Sequence, residues 1–264
     1  MKARTPHRPL KFRHIRRGVR LVVVLFIVFG VGCSWWGDEG AAAPVGPSVS
    51  AAEWSRNYYG QLMREESPTA SATCDDLSVL VDRSHTLPSD YAPKDLVPLQ
   101  DYGVPTLGSE MLRREAAEHL GRLVGDAAVD GEELVVASGY RSYEDQQLSH
   151  LRLMSVFGAG AGRMSATPGH SQHQLGTAVD FTNAAAAYEI WGLFAQTSAH
   201  WWLEQHAWEY GFVLAYPQGK EDQTGYEWEP WHYRFVGVED AKRLEESDLS
   251  LQEFLEREGT MPHC

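Results

Sequence analysis

The pattern of apolar and polar positions divides the 264-residue chain into a leader and one folded body. An unbroken apolar run, Leu21 to Gly32, follows a polar and basic start, and residues 37–50 then have the Gly, Ala, Ser and Pro content of a linker. Residues 51–66 have the makings of a short helix. From Asp75 the pattern becomes that of a globular domain. Leu77–Val81 reads as a short strand, and Leu87–Pro98, with three prolines, as an extended wrap over the surface. Met111, Leu112, Ala116, Leu120, Leu123 and Val124 recur at helical spacing and predict a helix over Ser109–Ala128. Gly131 turns the chain into a buried strand, Glu133–Ser138. Ser142 then caps a helix reaching Phe157, with Glu144 and Asp145 in its first turn to favour the dipole.

A loop of small residues covers 158–169, followed by a strand, Thr177–Thr182. An aromatic-rich helix over Ser198–Tyr210 ends at Gly211. Strands Phe212–Tyr216 and Trp231–Val236 flank the polar loop Pro217–Glu227. Two short acidic helices close the chain, the second opened by the capping box Ser250-Leu251-Gln252-Glu253. Strands and helices interleave, but too few and too irregularly for a doubly wound sheet. The expected fold is α+β: a small antiparallel sheet, helices packed on it, and a site along one face. The domain organisation follows as 1–36 leader, 37–74 linker and short helix, and 75–264 folded domain.

Charge sharpens the division. The formal net charge is −13, but residues 1–20 carry eight Lys/Arg and no acid. Without them, 15 basic residues face 36 acidic ones, a formal charge of −21. Nucleic-acid phosphates would repel such a body, which excludes that class of partner. A basic segment followed by a short apolar run is the pattern of an export signal. Phe29-Gly30-Val31-Gly32-Cys33 resembles a bacterial lipobox, with Gly30 where Leu is usual; an uncleaved anchor is the alternative, and Arg16-Arg17 hints at twin-arginine export. The expected location is extracytoplasmic, tethered to the membrane as a lipoprotein at Cys33. With Cys33 lipidated, Cys74 and Cys264 remain as an even pair in an oxidising compartment, able to staple the domain's start to its end.

The chemistry concentrates in two stretches. Pro168 to Asp180 holds His170, His173 and Asp180; Glu229-Pro230-Trp231-His232-Tyr233-Arg234 lies about fifty residues on. Two His and one acid, with the fourth position left to water, recur in catalytic zinc sites, and a nearby Glu suits a general base. His173 and Asp180 share no helix or strand face, so a turn at Gly176 must bring them together. Val179 and Phe181 would then point away from Asp180, into the core. Pro230 bends the strand entry so that Glu229 and His232 can face one cavity. Trp228, Trp231 and Tyr233 would exclude water there and raise the carboxylate's pKa. The chain has eleven His, and His119, His150, His200 and His206 read as ordinary helix residues among polar neighbours.

Ser-x-His-x-x-Gly-x-Ala-x-Asp, here Ser171 to Asp180, resembles the signature of the VanY-type D-alanyl-D-alanine carboxypeptidases, of the LAS group of zinc metallopeptidases. Residues 229–234 are similar to the second half of that signature, Ser138–Ser142 to its upstream element, and Leu87–Leu96 to the family's N-terminal stretch. The resemblance spans about residues 75–258. It implies a Zn2+ cofactor held by His173, Asp180 and His232, Glu229 as base and then acid, and Arg141 stabilising the oxyanion. Gln146 and Ser171 would hold the substrate's backbone or terminal carboxylate, and His170 would be a neighbour rather than a ligand. The implied partners are peptidoglycan stem peptides, trimmed of the terminal D-alanine. An L,D-carboxypeptidase acting on the tetrapeptide, or a non-catalytic wall-peptide binding module, are the alternatives.

Overall fold

The computed structural model describes residues 74–190 and 192–258. The leader, the linker, the helix expected over 51–66, Cys33 and Cys264 lie outside the described residues. Cys74 is disulfide-bonded.

Six strands form two sheets among these residues: β1 (Leu96–Pro98), β2 (Met111–Arg113), β3 (Val135–Ser138), β4 (Ala178–Thr182), β5 (Phe212–Leu214) and β6 (His232–Phe235). β1 and β2 pair as an antiparallel ribbon, and the larger sheet has the order β3-β4-β6-β5, antiparallel throughout. Five helices matter for the packing: α1 (Arg114–Val129), α2 (Tyr143–Phe157), α3 (Ser198–His206), α4 (Val238–Glu245) and α5 (Leu251–Glu258). The α+β class with a small antiparallel sheet is what the sequence predicts.

Every residue of β4 and β6 is buried, so both faces of the sheet centre are covered. Alternation along the strands sorts their side chains. Val179, Phe181, Tyr233 and Phe235 enter the main core with Leu120 and Leu123 of α1 and Leu203 of α3. Asp180, His232 and Arg234 lie on the other face. A second apolar cluster joins Val213, Tyr216 and Tyr226 to Leu244 of α4 and Phe254 of α5. Each fully buried Leu or Phe of this kind contributes about 1.5–3 kcal/mol by leaving water.

Two expected elements take a different form. Leu77–Val81 forms no strand: the fully buried Arg234 guanidinium donates to the Leu77 and Val79 carbonyls at 2.7 and 3.1 Å, a partner that no ladder supplies. Met111–Arg113, predicted as the first turn of a helix, is β2. Its backbone is claimed from outside: Arg113 N–H donates to the Gly176 carbonyl, and the Met111 carbonyl accepts from Tyr140 N–H. α1 therefore starts at Arg114. α2 begins where expected because Ser142 Oγ accepts from Asp145 N–H at 3.1 Å. At the chain's end Ser250 and Glu253 bond each other's backbone reciprocally. The small-residue loop coils into a short 3-10 helix over Gly158–Arg163, and the aromatic helix tightens to 3-10 geometry over Ala207–Tyr210.

Candidate metal centre and active site

The site is assembled by strand register and one turn. Asp180 on β4 lies directly opposite His232 on β6 and, on its other side, opposite Ser138 of β3. Side chains of opposed residues in antiparallel strands lie on the same face and within reach. The third element is a 3-10 turn, Gln172–Leu175, that delivers His173 and ends at Gly176. Gly176 has φ 67°, and a Cβ there would lie 2.9 Å from Leu96 Cδ2, so the turn requires glycine. This is the turn that the spacing of His173 and Asp180 demands.

His173 Nε2 stands 3.2 Å from one Asp180 carboxylate oxygen, and His232 Nδ1 stands 2.9 Å from the other. One donor atom from each of the three residues lies within 4.8 Å of the others, and all three are buried. Two donors bound to one tetrahedral zinc at about 2.0–2.1 Å are about 3.3 Å apart, close to both histidine–aspartate spacings. The remaining ring nitrogens are both engaged: His173 Nδ1 with the Gly139 carbonyl at 2.6 Å, and His232 Nε2 with Gln172 Oε1 at 3.1 Å. Carbonyl acceptors on the outer nitrogens are what metal-binding imidazoles use to present the inner ones. The residues fit zinc.

Glu229 enters from the loop before β6. Its N–H donates to the Tyr216 carbonyl and its own carbonyl accepts from His232 N–H, a tight turn around Pro230. The carboxylate is 3.9 Å from His232 Nδ1. Burial, reinforced by the nearby Asp180 charge, pushes the Glu229 carboxyl well above its ordinary range. Burial would also raise Asp180, but the charges and hydrogen bonds of His173 and His232 outweigh it and hold that carboxyl low. Burial likewise lowers His232, against the pull of Asp180. Two carboxylates in one cavity are thus driven apart, the arrangement that separates a permanent anion from a proton carrier.

Arg141 occupies the rim. One of its nitrogens donates to Ser138 Oγ at 2.7 Å and lies 3.7 Å from Asp180, and another donates to Gln146 Oε1 at 2.8 Å. Gln146, which the resemblance implies would hold substrate, has its amide engaged within the chain: Nε2 donates to Ser165 Oγ and the Ala166 carbonyl. It steadies Arg141 while lining the same cavity as Ser171, His173, Asp180, Glu229 and His232. His170 turns away, its Nδ1 2.7 Å from the Asp82 carbonyl.

Tyr233 does not flank Glu229 as expected. It lies on the opposite face of β6 and packs edge-on against Phe181. The aromatic wall is Trp231 with Tyr216 and Tyr226, and Tyr216 stacks on the His232 ring at 5.0 Å. The motif spacing leaves Tyr216 and Gln172 unmarked, because neither shares a short pattern with the ligand it touches. His150 and His200, read from the sequence as lying among polar neighbours, are buried. His200 packs against the rings of Phe194 and Trp228.

The VanY family model, described as D-alanyl-D-alanine carboxypeptidase, matches residues 109–238. A D-alanyl-D-alanine carboxypeptidase of Enterococcus faecalis is 32% identical over 191 residues, covering 68% of this chain and 66% of that protein. Among solved structures, the VanY D,D-pentapeptidase of a VanB-type resistance cassette, in complex with Zn(II), is 31% identical with a TM-score of 0.58. The match covers 68% of this chain and 98% of that one. The LdcB LD-carboxypeptidase is 38% identical with a TM-score of 0.62, covering 67% of this chain and 84% of that one. With the zinc-fitting donor set, these similarities place the chain in the VanY family of D-alanyl-D-alanine carboxypeptidases, as a zinc metallopeptidase.

Proposed function

We propose that the protein removes the C-terminal D-alanine from peptidoglycan stem peptides, with His173, Asp180 and His232 as zinc ligands. The observation that carries this is the meeting, in one buried cavity, of those three donors with a carboxyl held above its ordinary pKa, Glu229. When bound, zinc lowers the pKa of a water in its open position and polarises the scissile carbonyl. Glu229 takes the proton of the attacking water and hands it to the leaving amine, a role its raised proton affinity suits. The Arg141 guanidinium, braced by Ser138 and Gln146, donates to the developing oxyanion. Ser171, buried at the cavity wall, offers a hydroxyl to the substrate's terminal carboxylate or backbone.

An L,D-carboxypeptidase acting on the tetrapeptide is the second reading, favoured by the 38% identity to an LD-carboxypeptidase. Incubating the zinc-loaded protein with pentapeptide and tetrapeptide stems, and identifying the released amino acid and the shortened peptide, separates them. D-alanine from the pentapeptide supports the D,D reading. Release from the tetrapeptide alone supports the L,D reading, and release from neither overturns both.

The protein acts outside the cytoplasm, held to the membrane by lipid on Cys33 or by an uncleaved apolar segment. The basic start with its apolar run supports this, as does the disulfide at Cys74, a bond that persists in oxidising compartments.

A further inference from the structure

A neutral imidazole carries one proton on two nitrogens, and the nitrogen without it is the one a metal can take. In this site each ring has its second nitrogen against a carbonyl oxygen. For His173 that oxygen belongs to the Gly139 backbone. For His232 it belongs to a side chain, Gln172 Oε1, sixty positions away in sequence. Gln172 is only 2% exposed and sits on the same 3-10 turn that delivers His173. Of the other contacts on the His232 ring, Tyr216 stacked on it and His173 edge-on at 5.0 Å fix its plane, and Nδ1 lies 2.9 Å from the carboxylate of its fellow ligand Asp180.

We infer that Gln172 is a positioning residue for the metal: it accepts the Nε2 proton of His232 and so makes Nδ1 the nitrogen turned towards the ion. This deepens the proposed ligand set and rests on it. The amide must present its oxygen, because a flipped Gln172 would aim N–H groups at a nitrogen that has to keep its own proton. One turn thus contributes a ligand of its own and orients the ligand of the far strand, linking the two halves of the divided site.

The test is Zn2+ affinity, by competition with a chromophoric chelator, for the full chain and for Gln172→Met, Gln172→Glu and His232→Ala. The Co2+ absorption spectrum and the melting temperature of each metal-free protein are recorded alongside. Gln172→Met keeps the length but removes the acceptor, and is expected to bind zinc about 10–100-fold more weakly, with an altered Co2+ spectrum and an unchanged metal-free melt. Gln172→Glu keeps an acceptor and is expected to bind at least as tightly as wild type. Wild-type affinity in Gln172→Met overturns the inference, as does a Gln172→Glu as weak as Gln172→Met. Should Gln172→Met fail to fold, the glutamate variant decides alone. The ligand set is judged separately: a His232→Ala that keeps wild-type affinity sinks it, whatever Gln172 does.

Discussion

Asp180 is the residue on which the site closes, because its two oxygens face different histidines and Arg141 stands 3.7 Å from one of them. The two histidines hold the Asp180 carboxyl low, while Glu229, pushed up by burial and by the Asp180 charge, is kept protonated over a wider range. The sign of a pH effect follows. With a folded pKa above the unfolded one, Glu229 costs the metal-free protein stability as pH rises from about 4.3 through its folded value. Metal-free Glu229→Gln should therefore melt above metal-free wild type at neutral pH, with the gap closing as pH falls towards 4, as thermal melts across that range would record. Arg141 makes two directed hydrogen bonds from one planar group, which an ammonium cannot copy. Arg141→Lys is expected to lower kcat about 10²–10³-fold at near-normal zinc content, the size of effect known for losing an oxyanion donor. Steady-state kinetics beside metal analysis checks this. The proposed ligands and base can be read from the sequence because a spaced motif carries them. Gln172 and Tyr216 are not, because only tertiary structure brings them to His232.

Elements were legible where their own residues decide them. α2 starts at Tyr143 because Ser142 supplies the cap, and α5 follows its capping box. Where another part of the chain decides, local pattern misleads. Met111–Arg113 carries helical spacing, yet its backbone is claimed by β1, Gly176 and Tyr140. Leu77–Val81 has strand composition, yet Arg234 takes its carbonyls. Tyr233 adjoins His232 in sequence and therefore faces away from it, since the side-chain period of a strand is two. The β3 end illustrates the same dependence: the register slips between Val136 and Ser138, sending Ser138 to Arg141 and the Gly139 carbonyl to His173. A Cβ on Gly139 would stand 2.6 Å from the Met111 carbonyl. Gly139→Ala is expected to destabilise the domain by about 1–3 kcal/mol through forced backbone movement. It should also weaken zinc binding by shifting the partner of His173, seen as a lower urea midpoint together with a higher zinc Kd.

At the scale of the whole molecule, the sheet's polar face gathers Ser138, Asp180 and His232 from three adjacent strands, and the loops add His173, Arg141 and Glu229. The other face supplies the core that holds those strands in register. Cys33 falls outside the described residues, and lipid on it is the proposed tether. Feeding cells a labelled lipid precursor should label the wild type and leave Cys33→Ser unlabelled; an unlabelled wild type in the membrane fraction would mean the uncleaved anchor holds it. The proposed mechanism divides the labour: three residues hold the metal and Glu229 moves the proton. It is tested most directly by measuring zinc content and D-alanine release for full-length Glu229→Ala given the pentapeptide stem. The expected result is about one zinc per chain with release reduced at least about 10²–10⁴-fold. Turnover at the wild-type rate, with zinc still bound, would contradict it.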